Sequence, residues 1–163
     1  MADTQVDSMG YAYDFWSIMH YGSYFFSRND RPTIKVVKKY RSLNPNLGQR
    51  EALSYLDIAQ VRAMYKCNKL PSLESKKCVK RSTKGRDYRG GLDYTQSGVM
   101  CQPWNRNYPH KHEYDLTNEA DDLKYNYCRN PGGEKERPWC FTTLSDKDNN
   151  PKWEYCDIQL CDS

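Results

Sequence analysis

Leu56, Ala59 and Ala63 recur at helical spacing, and so do Ile58, Val61 and Tyr65. Together they predict a helix near 55–66 with a broad apolar face. Ser54 precedes it with Asp57 three residues on, a capping box in which the Ser54 oxygen receives the Asp57 backbone N–H. Before that, Asn44-Pro45-Asn46 and Leu47-Gly48 read as loop. The stretch Tyr13–Gly22 has the composition of an aromatic-rich strand and turn. From residue 78 onward the pattern thins: Val79, Leu92, Val99, Leu116, Leu123, Leu144, Ile158 and Leu160 are the aliphatic residues before the chain's last cysteine.

So sparse a set cannot fold that segment alone. Burying one such side chain contributes roughly 1.5–3 kcal/mol, while ordering each residue costs about 1.5 kcal/mol. Six cysteines supply the remainder: Cys78, Cys101, Cys128, Cys140, Cys156 and Cys161. A disulfide across a long loop adds on the order of 3–4 kcal/mol, so these read as staples. Six cysteines permit fifteen pairings, and the residues themselves do not choose among them. A zinc site is the rival use of cysteine, but the chain has no C-x-x-C pair and only three histidines.

Composition changes the picture little. The chain has 163 residues, is 28% charged, and carries a net charge of +4, which allows one domain or two small ones. Basic residues gather at Lys35–Arg41 and from Lys76-Lys77 to Arg86. A nucleic-acid partner calls for a recognised module or a stronger basic stripe. Solvated surface charge is the preferred reading, with an anionic polysaccharide as the residual alternative. No apolar run is long enough for a membrane span. The opening residues Met1-Ala2-Asp3-Thr4-Gln5 lack the basic and apolar regions of a signal peptide. Disulfides need an oxidising compartment, so the expectation is a secreted protein whose original N-terminus is missing from this chain.

The C-terminal pattern is specific. Asp87-Tyr88-Arg89-Gly90, Cys101-Gln102-Pro103-Trp104, Tyr127-Cys128-Arg129-Asn130-Pro131, Pro138-Trp139-Cys140-Phe141-Thr142 and Trp153-Glu154-Tyr155-Cys156 follow one another in order. Residues 78–161 resemble a kringle domain throughout. The resemblance implies a small disulfide-rich fold, mostly irregular with short antiparallel β pieces, and the pairing Cys78–Cys161, Cys101–Cys140 and Cys128–Cys156. It also implies a protein or peptide ligand. A lysine-binding kringle needs carboxylates for the ammonium, an aromatic trough for the methylenes and a cation for the carboxylate. Trp139, Phe141, Trp153 and Tyr155 are the candidate trough, unless they are core. Lys152 matches one cation position, and Lys111 lies near another. The anionic side is weak: lysine binders carry two aspartates after C-R-N-P, where this chain has Gly132 and Glu134, with Glu136 beyond. Weak lysine binding, or none, is expected.

The N-terminal segment carries a second motif. Ser17-Ile18-Met19-His20-Tyr21 matches the S-x-M-H-Y Met-turn of the astacin family of zinc metalloendopeptidases. Phe25-Phe26-Ser27, Arg31-Pro32-Thr33-Ile34, Leu47-Gly48-Gln49-Arg50 and Ala63-Met64-Tyr65-Lys66-Cys67 extend the resemblance over residues 1–67. It implies an incomplete α+β subdomain ending in a helix, followed by a linker at 68–77 and the kringle at 78–161. It also places Met19 beneath a metal site. Tyr21 becomes an accessory zinc ligand and transition-state stabiliser. Cys67 matches a cysteine whose family partner lies in the N-terminal lobe, which leaves it unpaired here.

That family binds zinc through H-E-x-x-H-x-x-G-x-x-H. His20, His110 and His112 do not form that motif. The expected reading is therefore a C-terminal piece of a secreted astacin-type protease, beginning in mid-domain, whose full-length parent uses zinc and cleaves peptide bonds with metal-activated water. Whether this chain is itself an enzyme is left open by the missing motif. Alone it is expected to be inactive and to hold no cofactor. The alternative is a non-catalytic kringle binding module, and a third is an inactive competitor for an astacin's partners.

Overall fold

The computed structural model describes residues 7–67, 78–146 and 149–161. The linker expected at 68–77, the Lys76-Lys77 pair and the first five residues lie outside that range. The chain divides into two compact units, one of Met1–Ala12 with Ala59–Ser163 and the other of Tyr13–Ile58.

The predicted helix is present as α1, Tyr55–Met64. Its capping box is formed in both directions: the Asp57 N–H donates to Ser54 Oγ at 2.9 Å, and the Ser54 N–H donates to Asp57 Oδ2 at 2.9 Å. Leu56 and Ala59 are fully buried. The second row of apolar positions is not: Ile58, Val61 and Tyr65 are exposed. The buried face is narrower than the sequence pattern suggests, because periodicity marks which residues share a face but not whether anything covers it.

In the Tyr13–Ile58 unit, regular structure comprises a 3-10 turn at Lys38–Leu43 and the start of α1. Phe15 is buried, with its ring 4.9 Å from Tyr13 and 5.3 Å from Tyr40 between centroids. Gly48 has φ +84, and a Cβ there would lie 2.4 Å from Gly22 Cα. A side chain at 48 would therefore force this loop away from residue 22.

The larger unit is built on three disulfides, Cys78–Cys161, Cys101–Cys140 and Cys128–Cys156. Strands β1 (Trp139–Phe141) and β2 (Trp153–Tyr155) pair antiparallel, with Trp139 opposite Tyr155 and Phe141 opposite Trp153. Short bridges complete the frame: Val79 with Leu160, Thr95 with Cys156, and Cys101 with Thr142. Buried clusters result, two of which bear on the surface described below. One collects Val79, Tyr88, Leu92 and Ile158 around disulfide sulfur. The other collects Trp104, Leu123, Trp139 and Phe141. The inner pair of disulfides thus occupies space that aliphatic side chains fill in larger domains. In the same unit, the Arg62 guanidinium grips the Asp93 carboxylate with two bonds of 2.7 and 3.0 Å, and the Ser145 N–H donates to the Gly10 carbonyl at 2.8 Å.

The polar residues of the C-R-N-P run are braces. Arg129 is buried, and its guanidinium donates to the carbonyls of Asp122, Gly90 and Cys128 and to Asp122 Oδ2. Asn130 is buried too: its Nδ2 donates to the carbonyls of Lys84 and Lys135, and its Oδ1 accepts from the Lys135 N–H. Gln102 does the same beside Pro103, donating to the Arg106 and His110 carbonyls and accepting the His110 N–H. Backbone that runs irregularly through an interior must have its polar groups satisfied somewhere. Here buried side chains replace the missing ladders.

Candidate binding surface and Met-turn

Strand β2 sends Trp153 and Tyr155 to one side, their ring centroids 5.4 Å apart and edge to face. Both are half-buried, whereas Trp139 and Phe141 beneath them are 1% and 7% exposed. The four residues expected to form a trough therefore divide by depth. Trp139 and Phe141 are the floor, belonging to the Trp104 cluster, and Trp153 and Tyr155 present the accessible rings. Gln96, Ser97, Trp153, Glu154 and Tyr155 line an open depression of about 490 Å³.

The charges around these rings differ from those of an ammonium site. Glu134, the expected anion, accepts the Tyr114 hydroxyl at 2.8 Å. Burial first, and then the bond to Glu134 and that carboxylate's charge, push the Tyr114 phenol far above its ordinary value. The hydroxyl therefore stays a donor. Glu136 accepts the Lys84 ammonium at 2.9 Å, and Glu154 accepts the Ser97 hydroxyl at 2.5 Å. Cations occupy the ring faces: Lys135 Nζ lies 4.4 Å from the Trp153 centroid, and the Arg137 guanidinium lies 4.7 Å from the Tyr155 centroid. Lys152 sits 5.8 Å from the Phe141 ring. Lys111 is exposed. Reading the sequence alone missed Tyr114, Lys135 and Arg137. Alternation of Lys135 and Arg137 ahead of Trp139 was the available signal, but nothing local says which ring each would reach.

His110 and His112 flank the floor. His110 is buried, its Nε2 3.3 Å from the Thr142 hydroxyl, and the His112 ring stacks on Phe141 at 5.2 Å. Burial, aided by the Lys152 charge, lowers the His110 pKa to about 4. His112 is lowered as well, mainly by burial. Both rings are neutral packing groups at pH 7.

The Ser17–Tyr21 turn, in the other unit, is held from two sides. Asp57 Oδ1 accepts the Ser17 hydroxyl at 2.7 Å and Oδ2 accepts the Ile18 N–H at 3.1 Å. Burial alone would raise the Asp57 carboxyl, but the bonds from Ser17, Ser54 and Ile18 outweigh it and lower its pKa. Arg50 Nη1 donates to the Ile18 and His20 carbonyls at 2.6 and 3.0 Å. Met19 is 81% exposed and Tyr21 51%, the Tyr21 ring leaning on Phe25 and Phe26.

These residues do not make a zinc site by themselves. His20 Nε2 is 2.9 Å from the Tyr13 hydroxyl and its Nδ1 is 2.7 Å from the Tyr21 carbonyl. Among the described residues, the one group of three or more metal-ligating side chains close together is Cys101, Cys128, Cys140 and Cys156, which are consumed in disulfides. Cys67 is free and exposed. A lone phenol beside committed histidine nitrogens lacks the donor set zinc requires.

A disulfide-stapled domain with an aromatic surface, and ahead of it a turn carrying Met, His and Tyr, define a two-part class of protein. Residues 1–66 match Astacin (Peptidase family M12A) and residues 78–161, more than half of the chain, match the Kringle domain family, to which the chain belongs. Kringle domains generally bind proteins, and domains with several disulfides are typical of extracellular proteins. The astacin family implies zinc in the full-length protein. Among the described residues no helix is long and apolar enough to cross a membrane.

Proposed function

We propose that this chain is the C-terminal part of a secreted astacin-type zinc metalloendopeptidase, with residues 1–67 from the protease domain, 68–77 as linker and 78–161 as a kringle that binds a protein partner or substrate. One observation carries the reading: the Met-turn is braced by Asp57 and Arg50, yet its own histidine is occupied and, among the described residues, no metal-binding trio accompanies it. A turn kept in shape without ligands fits a support for a metal held elsewhere in the protein. When bound, zinc would activate water for peptide hydrolysis. On this reading, and as the family resemblance implies, Tyr21 would hold developing charge near that metal and Met19 would support its site. Cys67 would pair with a cysteine of the protease's other lobe.

The second reading is a non-catalytic kringle binding module, favoured by the absence of H-E-x-x-H from the chain. Isolating the native protein with an antibody to the kringle separates the two. A species carrying H-E-x-x-H, with chelator-sensitive peptide cleavage, supports the protease. A native protein with no such segment and no cleavage leaves the binding module.

A further inference from the structure

Trp153 and Tyr155 are adjacent half-buried rings, and each already carries a cation of this chain on its face: Lys135 at 4.4 Å and Arg137 at 4.7 Å. Lys135 also lies 5.6 Å from Trp139, so it sits in the angle between two tryptophans. Among the described residues, neither Lys135 nor Arg137 forms an ion pair; Arg137 donates to the neutral Gln96 amide at 2.8 Å. The carboxylates nearby are taken, Glu134 by Tyr114, Glu136 by Lys84 and Glu154 by Ser97.

We infer that this surface selects acidic peptides, gripping their carboxylates with Lys135 and Arg137, and refuses ammonium ligands because Lys135 occupies the ring face they would need. The inference rests on the reading of the kringle as a binding module and names its ligand class.

The physics runs one way. Cation–π contact satisfies the ring quadrupole with a charge from the protein. A second ammonium would meet both an occupied ring and a like charge. An arriving carboxylate meets two unneutralised cations, one of them a planar guanidinium suited to bidentate contact. The rings beside them offer apolar area to a neighbouring side chain, and the Gln96 amide offers a hydrogen bond. Glu134, Glu136 and Glu154 break up the positive field, which disfavours a uniformly charged sulfated polysaccharide and favours a ligand with one or two placed carboxylates.

The test uses the whole chain and calorimetric titration with three probes: a blocked peptide alternating glutamate and leucine, 6-aminohexanoate, and a sulfated oligosaccharide. The wild type is expected to bind the acidic peptide, less tightly in raised salt. Lys135→Gln with Arg137→Gln should weaken that binding by at least about tenfold, with an unchanged near-ultraviolet circular dichroism spectrum as the check on folding. Lys135→Gln alone should gain binding of 6-aminohexanoate. Peptide affinity unchanged in the double variant overturns the assignment. Preference for the oligosaccharide overturns it too, as does wild-type binding of 6-aminohexanoate indifferent to Lys135→Gln. In each of those results some probe still binds, so the module reading survives. Silence from all three probes removes both.

Discussion

The Tyr114 hydroxyl donates to Glu134 across twenty residues of sequence, at 2.8 Å. That bond engages the carboxylate expected from the kringle resemblance to face a ligand's ammonium group. Removing the hydroxyl without removing the ring isolates its effect. In Tyr114→Phe, Glu134 loses this partner and affinity for 6-aminohexanoate should rise, by up to about tenfold when combined with Lys135→Gln. Titration of the two variants checks this, and equal absence of binding in both would show that the carboxylate is not the missing element.

Asp57 ties the Met-turn to the start of α1 by accepting from Ser17, Ile18 and Ser54. Asp57→Asn keeps the volume but turns one of the two acceptor oxygens into a donor. Hydrogen exchange at the Ile18 amide should accelerate by roughly tenfold, the equivalent of about 1.4 kcal/mol. Unchanged protection would mean that Arg50 alone holds the turn.

Arg129 is 2% exposed and donates to three carbonyls and one carboxylate. Substitution by Ala leaves those acceptors dry and Asp122 without its buried partner, at a cost of about 3–5 kcal/mol. Lysine should rescue little, since one ammonium cannot serve acceptors spread around a planar fork. Urea denaturation of the oxidised proteins measures both variants.

Stability should fall on mild acidification. The His110 pKa is lowered in the folded state to about 4, from an ordinary 6.5. The folded state therefore binds fewer protons than the unfolded one between those values. Its contribution is complete above about pH 6.5 and is lost as the pH drops toward 4. His112 acts in the same direction. Melting temperature followed from pH 7.5 to 4.5 should decline, and less steeply in His110→Gln. Parallel curves would indicate that the carboxylates alone set the acid response.

The isolated chain should neither retain stoichiometric zinc nor cleave peptides, because the nitrogens of His20 are engaged and His110 is buried in the other unit. Metal analysis after dialysis, with a peptide-cleavage assay, measures this. One zinc retained per chain together with chelator-sensitive cleavage would contradict it.

Much of this was legible along the chain. Ser54 and Asp57 at a spacing of three, ahead of an apolar row, announce a capped helix because capping depends on neighbours in sequence. The scarcity of aliphatics after residue 78 announces staples, because burial energy can be tallied without coordinates. Both family resemblances rest on the order of residues in local runs such as Ser17–Tyr21 and Tyr127–Pro131. Other features depended on tertiary structure. Trp139 and Trp153 look alike in sequence, but only the fold makes one a buried floor and the other a surface. Exposure of Val61 and Tyr65, on what reads as an apolar face, was equally invisible. The ring that Lys135 covers, and the partner that engages Glu134, are set by side chains meeting across loops. Such encounters are governed by burial and reach in three dimensions, and sequence spacing carries neither.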